Sequence, residues 1–86
     1  MSIGDVKAVI REGIHSLDQA KATVEGIGTA LNDVIPLVLA TLKGSEHDYS
    51  KKALAALTAA RREVELTLHN IESAKENASS FVSELG

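Results

Sequence analysis

Apolar positions recur every seven residues through the first half of the chain. One column reads Ile3, Ile10, Leu17, Val24, Leu31 and Val38, all aliphatic. A second, three residues on, reads Val6, Gly13, Ala20, Ile27, Val34 and Thr41, and a third column adds Ile14, Ile35 and Leu42. This spacing gathers the columns on one side of a helix of 3.6 residues per turn, so it predicts one long amphipathic helix. Ser2-Ile3-Gly4-Asp5 supplies its start, with a hydroxyl to accept from an orphan N–H and an acid in the first turn. Lys43-Gly44 supplies its end, because glycine takes the left-handed conformation that closes a helix without steric cost.

A second start follows at once in Ser45-Glu46-His47-Asp48. Beyond it a second helix keeps the same period, with Ser50, Leu57, Val64, Ile71, Ala78 and Leu85 in one column. Ala53, Ala60, Thr67, Ala74 and Phe81 form another, flanked by Leu54, Leu68 and Val82. A stop and a start this close together predict a short connection between antiparallel helices. The expected fold class is therefore all-α, an antiparallel two-helix hairpin that pairs into a four-helix bundle. Its single domain has a helix over 2–43, a tip at 44–45 and a helix over 46–85. Folding about Gly44 pairs Leu31 with Leu57, Val24 with Val64 and Leu17 with Ile71, so apolar meets apolar in every layer. The large residues of the first helix are expected to face the alanine column of the second.

Pro36 falls inside the first stripe and predicts a kink there, since it cannot donate to Asn32 and crowds the preceding turn. Around it, Val34-Ile35-Pro36-Leu37-Val38-Leu39-Ala40 is apolar nearly all round. One neighbouring helix cannot cover every side of that segment. Contiguous apolar surface at the end of a rod marks a contact site, which makes Ile35, Leu37, Leu39 and Leu42 the candidate partner-binding residues, with Leu66 as a lesser one.

Composition sharpens the picture mostly by exclusion. The 86 residues contain nine Lys and Arg against twelve Asp and Glu, a net charge of −3. The basic doublets Lys51-Lys52 and Arg61-Arg62 are mixed with acids and have no stacking aromatics nearby, so no nucleic-acid partner is expected. The absence of cysteine removes disulfides, thiolate metal sites and thiol catalysis. No uninterrupted apolar run reaches the roughly 18 residues of a membrane span, and the opening residues lack the apolar core of a signal peptide.

Little chemistry remains. Glu12 and His15 have the E-x-x-H spacing of di-iron bundles, but that motif occurs once and lies off the main stripe. Glu65 and His69 sit one turn apart, as a surface pair does, and no nucleophile arrangement surrounds His47. Neither an enzyme, a cofactor nor a metal centre is expected. A metal-binding bundle around Glu12 and His15 is the weaker alternative.

A chain of this length folding as a hairpin of two long helices with a glycine at its tip resembles the WXG superfamily, the small partners of type VII secretion in actinobacteria and firmicutes. The tip, Leu42-Lys43-Gly44, keeps the Gly of the family's Trp-x-Gly and lacks its Trp. The family's export motif, Tyr-x-x-x-Asp/Glu, is missing after the second helix. The opening Met1-Ser2-Ile3-Gly4-Asp5-Val6 also looks like that of small helical proteins found with polymorphic toxins. The resemblance implies a bacterial adaptor or secretion partner, cytoplasmic or exported by a leaderless route, that binds itself or another helical protein such as a larger secreted toxin or effector. The alternative is a cytoplasmic, self-assembling helical bundle or coiled-coil adaptor unconnected with secretion.

Overall fold

The computed structural model describes all 86 residues. They form two helices, α1 (Ile3–Leu42) and α2 (Asp48–Glu84), packed side by side as a hairpin. The rod measures 63 × 16 × 15 Å, close to the length that about 40 residues give at ~1.5 Å each.

Each helix boundary follows from a local hydrogen bond. At the start of α1, Asp5 N–H donates to Ser2 Oγ and Ser2 N–H donates to the Asp5 carboxylate, both at 3.1 Å. This reciprocal pair closes the capping box that the sequence implies. The far end closes at Gly44, whose φ of +79° is the left-handed turn, and Ser45 N–H reaches back to the Leu42 carbonyl. Pro36 lies within α1, which continues through it to Leu42 as one helix.

The tip differs from expectation. It spans residues 43–47, and His47, not Ser45, caps α2 by accepting the Tyr49 N–H at Nδ1, 3.1 Å away. Ser45 instead accepts from His47 N–H and bonds the Ser50 hydroxyl at 2.9 Å, bracing the turn from inside. A longer tip moves the register. Val64 packs against Gly28, and Lys21 and Asp18 reach Glu72 and Lys75. The hairpin thus closes about one helical turn away from the alignment expected for a fold about Gly44.

The seam differs as well. Ile10, Leu17, Val24, Leu31 and Val38 face inward, but the column beside them is Ile14, Lys21, Gly28, Ile35 and Leu42. On α2 the matching columns are Leu57, Val64, Ile71 and Ala78 with Leu54, Leu68, Lys75 and Val82. The columns containing Gly13, Ala20 and Ile27 on α1, and Ala53, Thr67 and Ala74 on α2, lie outside apart from half-buried Val6 and Ala60. Large residues of α1 therefore do not meet an alanine column. They meet other large residues, and Gly28 provides the close approach. A Cβ there would stand 3.2 Å from the Val64 methyl.

These contacts give distinct expectations for three glycines. Gly26 has open space around it, so Gly26→Ala should raise stability by about 0.5–1 kcal/mol through helix propensity. Gly28→Ala should gain less, since Val64 must yield. Gly44→Ala should cost about 1 kcal/mol, because its backbone is left-handed. Thermal unfolding of the three variants checks the order.

Candidate partner-binding surface

Two helices can hide very little. Ile35 is the sole buried residue of the chain, at 6% exposure. The accessible surface is 6183 Å², against roughly 4,900 Å² for a compact monomer of this mass. The radius of gyration, 19.3 Å, likewise exceeds the roughly 12 Å of a compact chain of this length.

Stepping from Val6 to Thr41 by alternate strides of three and four residues meets no charged side chain. Val9, Ile27, Val34 and Leu37 stand on this line, all exposed, with Gly13 and Ala20 between them. The line runs about 100° around α1 from the seam, at 100° per residue. The adjoining side of α2 continues it through Ala53, Ala56, Ala60, Thr67, Ala74 and Phe81. Only Glu63 and, at the end of α2, Glu84 interrupt it with charge. One side of the hairpin is thus nearly free of charge along its whole length.

The opposite side carries Arg11, Asp18, Glu25, Glu65, Glu72 and Glu76 and holds the ion pairs between the helices. Lys21 Nζ lies 2.7 Å from Glu72, and Lys75 Nζ lies 2.5 Å from Asp18 and 3.5 Å from Glu72. Both lysines rise from seam positions and lay their stems along apolar neighbours while the ammonium reaches the edge. Hydrogen bonds from Lys75 and Lys21 respectively hold the Asp18 and Glu72 carboxyls below their ordinary values. The same bonds hold both ammonium groups above theirs.

A depressed carboxylate contributes stability above its unfolded value and loses that contribution as pH falls through the folded one. The hairpin should therefore lose stability below about pH 4, in addition to any general acid effect. Lys75→Gln should shrink the difference between urea midpoints measured at about pH 6 and about pH 3. High salt should shrink it too, because these pairs are partly exposed.

The residues expected to form the contact site do not form one surface. Ile35 is inside, packed in the seam, and is withdrawn from any partner: the segment around it is apolar all round because one of its residues builds the core. Leu42 is half-buried beside it. Leu37 is 67% exposed on the uncharged side, where Leu37, Val38, Thr41 and Leu42 line a shallow apolar groove. Leu39 is exposed on the charged side and Leu66 on the outer back of α2. Of the five, Leu37 and the edge of Leu42 belong to the uncharged side. That side also contains Val9, Ile27 and Val34, which were not among the candidates. Their signal in the sequence is the uninterrupted absence of charge at strides of three and four from Val6.

The tip is polar. The His47 ring stacks on Tyr49 with centroids 5.4 Å apart, Lys52 stands over Tyr49, and Lys51 pairs with Glu46 at 2.9 Å. No group of three or more His, Asp or Glu side chains gathers in a way that could hold a metal ion, so Glu12 and His15 have no further ligand beside them. Taken by length and composition alone, α1 meets the minimum for a membrane-crossing helix, with a mean hydropathy of 1.2 over its most apolar 18 residues. Fold and surface together define a class, a two-helix hairpin with one charged and one uncharged side. No family model, no curated protein and no solved structure matches the chain.

Proposed function

We propose that the chain is a non-enzymatic helical adaptor that offers its uncharged side to another helical surface. The observation that carries this reading is the asymmetry of the rod: exposed aliphatics and alanines along one side, ion pairs along the other. A solvated face that binds nothing has no physical reason to exclude charge over the full length of α1.

The secretion-partner form of the proposal, of WXG-like type, is supported by the hairpin topology and by the glycine turn at Gly44. The form unconnected with secretion is favoured by the absence of the Trp and of the export motif. Co-expression with the product of the adjoining gene distinguishes the two forms. The secretion-partner form predicts a stoichiometric complex that survives size exclusion and is lost when a charge is placed on the uncharged side. Recovery of the chain without that product overturns this form. A chain that stays monomeric and binds no helical protein, with both sides equally tolerant of charge, overturns the adaptor reading altogether.

A further inference from the structure

We infer that the tip is a pH-dependent relay: protonation of His47 hands the cap of α2 to Ser45 and adds Glu46 and His47 to the start of the helix. This stands apart from the adaptor reading and holds whatever occupies the uncharged side. Ser2-Ile3-Gly4-Asp5 and Ser45-Glu46-His47-Asp48 carry the same Ser-x-x-Asp pattern. In the first copy both reciprocal bonds form, Asp5 N–H to Ser2 Oγ and Ser2 N–H to the Asp5 carboxylate. In the second neither forms, because His47 holds the cap, its Nδ1 accepting Tyr49 N–H at 3.1 Å. Ser45 Oγ is turned to His47 N–H and the Ser50 hydroxyl instead. Ser45 N–H is spent on the Leu42 carbonyl, and Asp48 N–H has no protein acceptor. A complete capping box therefore stands unused beside the cap in use.

One lone pair decides between them. Nδ1 accepts only while the imidazole is neutral with its proton on Nε2, and imidazole is the side chain that ordinarily changes charge between about pH 5 and pH 8. Protonation sets an N–H against the Tyr49 N–H and places a positive charge at the positive end of the α2 dipole. The cations around the ring add to the repulsion. Lys52 stands over the Tyr49 ring on which His47 stacks, Lys51 is one turn on, and Lys43 is the charge that α1 brings to the tip. Glu46 is engaged by Lys51 at 2.9 Å. Glu46 and Asp48 flank a protonated His47 under either cap, so they do not choose between the two.

The path between the forms is short. His47 has φ −67°, already a helical value, so at this residue only ψ, now 134°, has to turn. Tyr49 N–H then passes from Nδ1 to the Ser45 carbonyl, and Asp48 N–H gains Ser45 Oγ as Asp5 N–H has Ser2 Oγ. The bonds given up, from His47 N–H and the Ser50 hydroxyl to Ser45 Oγ, lie at the exposed tip, where water replaces them.

The test is NMR of the full chain at about pH 7.5 and about pH 5, above the range in which carboxylates take up protons. On acidification the Cα shifts of Glu46 and His47 should move from extended to helical values. Amide-exchange protection at Asp48 should rise about fivefold or more, the factor that one cap hydrogen bond confers, while Tyr49 stays protected. His47→Asn, which caps without titrating, should keep the five-residue tip at both pH values. Ser45→Ala should fray in acid, with Tyr49 losing its protection and Asp48 gaining none. Both positions are exposed, so neither substitution disturbs the seam. Unchanged Glu46 and His47 shifts in wild type, or a His47→Asn variant that responds as wild type does, overturn the relay. Fraying of wild type in acid overturns it too. A Ser45→Ala variant that lengthens α2 as wild type does overturns the handover to Ser45. None of these results bears on the adaptor reading, because no partner is present in the experiment.

Discussion

Ile35→Asp is expected to unfold the hairpin. The side chain is the one residue of the chain that both helices remove from water, at 6% exposure. Its loss forfeits about 2 kcal/mol of apolar burial, and an unpaired carboxylate in its place costs several more unless it protonates. A thin two-helix core holds no reserve of that size. Circular dichroism should show most of the helix signal gone at neutral pH, with partial recovery near pH 4 as the carboxyl takes up a proton. A variant as helical as wild type at neutral pH would mean that the seam is placed wrongly at its best-packed point.

Leu37→Asp and Leu39→Asp should behave oppositely, although the two residues are close in sequence and both at least half exposed. Leu37 stands on the uncharged side and Leu39 among the charged residues. A carboxylate at Leu37 would be desolvated by any helix docked there, for a loss of about 3 kcal/mol, or about two decades of affinity. At Leu39 it remains in water and changes association by less than about 0.5 kcal/mol. Neither should reduce helicity in the isolated hairpin. Equal effects from the two would remove the distinction between the sides on which the proposed function depends.

The hairpin is legible in the sequence because its signals are local and redundant. Ser2 with Asp5, Gly44, and six aliphatics in one seven-residue column each point to the same topology. The choice of inner flank is not legible. On α1 the outer column holds Val6, Ile27 and Val34, whereas the inner one is broken by Lys21 and Gly28. By hydrophobicity the wrong column is the better candidate. Only the cross-helix pairing of Lys21 with Glu72 and of Lys75 with Asp18, and the close approach at Gly28, make the inner one fit. The exact start of α2 is not legible for a related reason. Ser45 and His47 both offer an acceptor to a helix N-terminus, and which one caps depends on the turn that Gly44 sets. Those few residues of difference shift the whole register, and with it the face presented to a partner.

The two lysines in the seam also bear on how the arms come together. With the first contacts adjacent to a five-residue tip, closure is local and proceeds outward from the turn as a zipper, which is a fast route. Aliphatic layers alone tolerate slippage by a whole repeat. An arm that closes out of step separates Lys21 from Glu72 and Lys75 from Asp18, which exchanges both charge-assisted contacts for water. The quartet therefore distinguishes one register from its neighbours more than it adds strength to the seam.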